Sequence, residues 1–345
     1  MNIKTLGFFV CLWLIGHNST ASEYNTEFSV ADPSYQITFP RDHGPHKNFR
    51  IEWWYFTANL KSQSIENLGV QWTLFKSNLT PMSSKKPKRL NGFWMAHSAI
   101  TTETFHYSEE RFAREKGAQA GVTLDPFKAW IDNWSMKGDN KLETIQLESS
   151  SVDFSYSLKL STKISPVLQG NKSFSKKSEQ GAASHYYSQP FYFVEGWVIL
   201  NGKRHVVEGV GWLDREWSSD LLNENQLGWD WFSLHLDNGE KVMLFKVRQE
   251  NGDEFLSGSW ISRDGTKKSL SATDFELEEM AYSTIKGKQI PTKWKISFFG
   301  SDPITINTSA LNTNSWMETS FPYWEGPISV SGSLSGVGYL EMTGY

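Results

Sequence analysis

Short runs of aromatic and β-branched residues, about ten residues apart and bounded by turn signals, constrain this chain more than any other feature. Residues 51–60, 68–75, 93–101, 152–160, 192–200, 206–212, 229–236, 241–247, 293–299, 328–334 and 337–342 all read as strands. Between them stand Asn201-Gly202, Asp237-Asn238-Gly239 and Asp264-Gly265, which favour tight turns. No stretch keeps a helical period for long; only 109–116 and 221–226 are expected to coil for a turn or two. The 16 Trp, 22 Phe and 12 Tyr accompany a mean hydropathy of −0.46. The apolar surface is thus concentrated in large rings, which suits sheet faces or an aromatic-lined cavity. The expected class is all-β, a sandwich or a barrel.

Residues 1–21 carry Lys4, an apolar run at 6–15 and then Ser19-Thr20-Ala21, the pattern of a secretory leader. That run is about half of the roughly 20 residues a membrane-spanning helix needs. Cys11, the one cysteine, falls within it, so the mature chain is expected to have no disulfide and to rest on core burial. Removing the leader takes away Lys4 and no acid, and the formal charge of −4 becomes −5. Such mild acidity argues against nucleic acid as a partner. An exported, periplasmic monomer is expected. A polar, Gly- and Ser-rich break at 161–184 carries Lys163, Lys172, Lys176 and Lys177, and the domain boundary is placed at its end, giving parts 22–187 and 188–345. The basic segments 76–89 and 172–177 read as solvated loops, or as contacts for anionic lipid headgroups or a membrane protein.

The chain is organised around residues 185–236, where Trp197, Trp212, Trp217, Trp229 and Trp231 stand among Asp214, Arg215, Glu216 and Asp230. Charges in so aromatic a setting are costly to bury without partners. If 211–217 is extended, Trp212, Asp214 and Glu216 share one face, and Leu213, Arg215 and Trp217 the other.

The blocks YYSQP (186–190), WLDREWSS (212–219) and GWDWFSLHLDNG (228–239) resemble signature blocks of the AttH-like and carotenoid 1,2-hydratase-like superfamily. FPRDHGPHKNFRIEWWYFTANL (39–60) is similar to that family's opening motif and YWEGPISVSGSLSGVGYLEMTGY (323–345) to its ending. The resemblance covers nearly the whole mature chain. It implies two tandem lipocalin-like antiparallel β-barrels of the calycin type, a long apolar ligand such as a lipid or isoprenoid, and work beside an ABC-type transporter permease. The alternative it implies is a hydro-lyase that adds water to an isoprenoid double bond.

Acid-catalysed hydration asks for a carboxylic acid with a raised pKa, aromatic faces for the cation, and a dry cavity. Asp214 resembles the family's acid, and Tyr187 and His185 complete the candidate catalytic set. The candidate ligand-binding residues are Trp212, Trp229, Trp231, Trp197, Glu216, His97 and Trp54. Asp214, Arg215 and Glu216 also read as an ion-pair cluster bracing strands, with Arg50 or Arg41 reaching across, or as anchors for a ligand headgroup. His97 reads as a core histidine bonded to a carboxylate, or with Asp42 and Glu52 as an orienter of water or of a ligand. His43-x-x-His46 spans Gly44-Pro45, a poor metal spacing, so no metal and no cofactor is expected. No Gly-x-Ser-x-Gly elbow occurs, which argues against a serine hydrolase.

Overall fold

The computed structural model describes residues 27–81, 91–179, 181–219, 222 and 225–345. The expected leader 1–21, with Cys11, lies outside them, as does most of the basic segment 76–89. Among the described residues all regular structure is β, apart from one 3-10 turn at Arg41–His43.

The first sheet begins with β1 (Ile51–Lys61), β2 (Leu68–Asn78), β3 (Gly92–Thr102), β4 (His106–Arg114), β5 (Ala120–Leu124), β6 (Phe127–Ile131) and β7 (Trp134–Gly138). It continues with β8 (Thr144–Ser150), β9 (Phe154–Ser161), β10 (Val167–Leu168), β11 (Phe174–Lys176), β12 (Ala183–Leu200) and β13 (Lys203–Ser218). The second comprises β14 (Gln226–Leu236), β15 (Lys241–Gln249), β16 (Glu254–Ile261), β17 (Lys267–Ser271) and β18 (Phe275–Ile285). After these come β19 (Lys288–Phe298), β20 (Ile304–Ala310), β21 (Trp316–Met317), β22 (Tyr323–Gly332) and β23 (Gly336–Met342).

Neighbours in the first sheet run β4-β3-β2-β1-β13-β12-β9-β8-β7-β6-β5, and in the second β17-β16-β15-β14-β23-β22-β20-β19-β18. Every pairing is antiparallel. In each sheet the two edge strands follow one another in sequence: β4 leads into β5 and β17 into β18. A connection that short must bring the opposite edges near each other, so each sheet curls into a near-barrel around its own core. Trp54, Phe56, Trp72, Trp134, Leu158 and Trp217 fill the first core, and Phe232, Trp294, Ile306 and Trp324 the second. A third aromatic cluster, with Tyr55, Tyr186, Trp212, Trp231 and Tyr339, lies where the sheets face each other.

The boundary differs from the one expected. Ser188 falls inside β12, and the chain passes between sheets after Ser218 and before Gln226. The polar stretch 161–184 ends two strands too early because β12 and β13 form a long hairpin that β13 joins to β1. The expected coil at 109–116 is mostly strand β4; its Glu109, Glu110, Arg111 and Arg114 are the charges of an edge strand.

Candidate functional site between the two sheets

The ladder between β1 and β13 is unbroken from Ile51 opposite Ser218 to Lys61 opposite Glu208, so side chains alternate strictly along both strands. Glu208, Val210, Trp212, Asp214 and Glu216 therefore point at the second sheet, while Leu213, Arg215 and Trp217 point into the first core.

Asp214 is 3 % exposed. Its carboxylate accepts hydrogen bonds from Tyr186 Oη at 2.7 Å, Ser188 Oγ at 2.5 Å and Trp212 Nε1 at 2.7 Å. Trp231 Nε1 donates in turn to Tyr186 Oη at 3.2 Å. Burial pushes the Asp214 pKa up to about 7, and the nearby Glu216 adds to the rise, against the three donors.

Three more carboxyls share this seam. Glu216 pairs with Lys177 Nζ at 2.7 Å and accepts from Ser184 Oγ. Glu341 accepts from Trp229 Nε1 at 2.7 Å, and burial raises its pKa to about 7. Glu325 accepts from Tyr55 Oη at 2.5 Å, a bond from one sheet to the other, and burial followed by Glu341 holds it well above the usual carboxylate range. Tyr55 is the Cα partner of Asp214 across β1 and β13, so the tyrosine whose hydroxyl binds Glu325 stands beside Asp214 in the ladder.

On the far side of β13, Arg215 is fully buried. Its guanidinium reaches Glu52 at 2.8 Å and Gly44 O at 2.5 Å, and lies 3.7 Å from the centre of the Trp54 ring. Burial opposes the Glu52 charge, yet Arg215 and His46 bring its pKa down to about 2. His46 stacks on Trp217 at 3.7 Å, and His43 Nδ1 lies 2.7 Å from Tyr187 Oη. This network ties the loop before β1 to the end of the first near-barrel.

A groove opens along the same seam. Asn59, Lys61, Leu68, Glu208, Val210, Ala310, Leu311, Pro327, Ile328 and Val337 are among its lining residues, and it encloses about 610 Å³. Val210 is four residues from Asp214 on the same face of β13, roughly 13 Å along the strand, with Trp212 between them.

Residues 30–345 match the protein family described as AttH-like. The chain belongs to the AttH-like family. The structure of a putative AttH from Nitrosomonas europaea is similar to it at 26 % identity and a TM-score of 0.81, over 92 % of this chain and 100 % of that one. Kievitone hydratase from Nectria haematococca shares the fold at 13 % identity and a TM-score of 0.66, over 92 % of this chain and 96 % of that one. No curated protein matches.

In this AttH-like chain the expected catalytic set is not brought together. Ser188 is the cross-strand partner of Asp214 and Tyr187 that of Arg215, so Tyr187 and His185 lie with Arg215, on the face turned away from Asp214. Tyr186, which stands between them in sequence, touches the acid instead, as does Ser188. Trp54 is likewise on the Arg215 face, and Trp197 lies along the β12–β13 hairpin under Arg204, away from the seam. Trp212, Trp229, Trp231 and Glu216 all stand in the seam. His97 reaches it too, with Tyr323 Oη at 3.0 Å and Glu110 at 3.1 Å, whereas Asp42 and Glu52 are on the other face. Arg41 pairs with Asp42, and neither it nor Arg50 braces Asp214. Lys177 is no solvated linker residue, and Lys76 is buried against Glu115 at 3.5 Å. Sequence reasoning missed Tyr55, Glu325 and Glu341, although Glu325 in YWEGP and Glu341 in YLEM show the same lone acid among rings that drew attention to Asp214.

Proposed function

We propose that this AttH-like chain binds a long apolar molecule, a lipid or isoprenoid, between its two sheets, entering by the groove beside Val210 and Ala310. One observation carries the reading: the aromatic seam around Asp214 is closed by its own rings, and on the same face it gives way to a groove of about 610 Å³ with Leu68, Val210, Ala310, Leu311 and Ile328 in its wall. That volume is within the usual range for small-molecule sites. The test is saturable binding of the fluorescent apolar probe N-phenyl-1-naphthylamine. Binding is lost in Ala310→Trp, which fills the groove, and kept in Asp214→Asn; absence of saturable binding, or indifference to Ala310→Trp, overturns the reading. The leader-like residues 1–21 support a periplasmic setting, and we extend the proposal to delivery of the ligand to an ABC-type transporter permease.

A second reading, hydration of an isoprenoid double bond, is favoured by the Asp214 carboxyl itself. It is held uncharged toward neutrality by burial, has Trp212, Trp231 and Tyr186 around it, and is screened from Arg215 by the strand. Water labelled with heavy oxygen, offered with an unsaturated isoprenoid, is incorporated by the wild type and not by Asp214→Asn if this reading holds.

A further inference from the structure

Strands β1 to β4 end in two chemically opposed corners. At one end Lys61 and Leu68 stand in the groove wall together with Glu66, Glu103 and Glu208. At the other, Leu79 N donates to Asn91 O at 2.8 Å, Glu115 N to Gly92 O at 3.3 Å and Asn78 N to Arg50 O at 2.7 Å, which gathers the ends of β2, β3 and β4 beside the start of β1. β1 has 11 residues, so the two ends are roughly 33 Å apart. Phe93 and Arg114 are cross-strand partners, and Phe112 is two places from Arg114, so the three share the outer face of β3 and β4, opposite to Trp94 and Ala113 in the first core. Phe112 is 46 % exposed on an edge strand, Leu79 is 42 % exposed, and the half-buried Phe93 ring lies 6.3 Å from that of Phe112. Phe93, Phe112, Arg114 and Lys116 line a shallow pocket of about 430 Å³.

The charges of this corner are one-sided. Lys47, Arg50, Arg114 and Lys116 are all exposed, and none of them forms an ion pair among the described residues. Lys47 is held here through its carbonyl, which Asn78 Nδ2 reaches at 3.4 Å. Of the acids beside them, Glu115 is paired with Lys76 at 3.5 Å, and Glu27, next to the Phe28 ring that Arg50 covers at 4.8 Å, leaves a surplus of positive charge. We propose that this corner docks the protein on an anionic lipid bilayer, with Leu79, Phe93 and Phe112 entering the headgroup region and Lys47, Arg50, Arg114 and Lys116 meeting the phosphates. Exposed apolar side chains rimmed by cations fit such a surface in both charge and polarity. The whole chain has a formal charge of −4 and is repelled by anionic lipid, so attraction must come from a local patch. Docked in this way, the acidic wall of the groove is directed away from the bilayer and its mouth stays free.

The experiment sediments the full chain with vesicles of phosphatidylcholine, alone or with about one third phosphatidylglycerol, at low salt. Binding is expected to the mixed vesicles only, and to weaken in about 0.5 M sodium chloride. Arg114→Ala combined with Lys116→Ala is expected to weaken it about thirtyfold, and Phe112→Ser about tenfold. Lys268→Ala combined with Lys293→Ala removes the same charge from exposed positions of the second sheet and is expected to leave binding unchanged. Equal binding to vesicles of phosphatidylcholine alone, binding to neither, or equal losses in the two double variants overturns the proposal. Binding that survives the Phe112, Arg114 and Lys116 changes but is lost in Ala310→Trp puts the lipid in the groove, which overturns this docking and leaves the binding reading standing.

Discussion

Asp214 and Arg215 are neighbours in the chain and strangers in space: the carboxylate accepts from Trp212 Nε1 at 2.7 Å between the sheets, while the guanidinium meets Glu52 at 2.8 Å inside the first near-barrel. Strand alternation alone separates them, and that separation lets one charge pair be locked while the adjacent acid goes uncharged.

The two residues should therefore respond differently to substitution. Arg215→Ala leaves Glu52 buried without its cation and is expected to cost about 3–5 kcal/mol. Asp214→Asn keeps an acceptor for Ser188 and Trp212 and is expected to cost about 1 kcal/mol. Denaturant unfolding midpoints measure both, and equal losses would show that Asp214 braces the fold as much as Arg215 does.

A pH dependence follows from the seam acids. Asp214 and Glu341 titrate in the fold near 7, above their ordinary values of 3.8 and 4.5. Between those limits the folded state holds more protons than the unfolded one, so their contribution to stability is full at low pH and falls as pH rises to about 7. His43 and His185, lowered by burial to about 4, act in the opposite sense over much of that window. Glu341→Gln isolates the acid: its stability relative to wild type is expected to improve on going from pH 4 to pH 7. An unchanged difference would mean that Glu341 is ionised in the fold.

Gly69 is where the sheets come closest to touching through a missing side chain. Gly69→Ala puts a methyl group against Tyr339 Oη and the Pro327 ring, and is expected to cost about 1–3 kcal/mol. Adding Tyr339→Phe should recover part of that loss by removing the nearer atom. Calorimetric unfolding of the single and double variants reads the coupling, and strictly additive effects would contradict it.

Much of this architecture is legible in the sequence because it is local. Alternation in 51–60, 68–75 and 93–101 and the turns at Asn201-Gly202 and Asp237-Asn238-Gly239 are properties of neighbouring residues, and strands stand there. The short strands β5 to β8 escaped notice because five to seven residues give too little alternation to stand out. The site was legible in part. Lone acids among tryptophans pointed to Asp214, but grouping His185 and Tyr187 with it needed the register of β12 on β13, and that register puts Tyr186 and Ser188 there instead. Likewise Glu325 meets Tyr55 from one sheet to the other and Glu341 meets Trp229 within the second sheet, contacts between residues more than a hundred positions apart in sequence.

The long β12–β13 hairpin has a practical meaning for anyone dividing this protein. A fragment stopped at 187 would keep β1 but lose β13, exposing a hydrophobic edge with every ladder bond on that side unmade, and it should aggregate when expressed alone. A cut between 219 and 225 spares every ladder. It would still bare the rings of Tyr55, Tyr186, Trp212 and Trp231, so the two pieces should be soluble together and sticky apart.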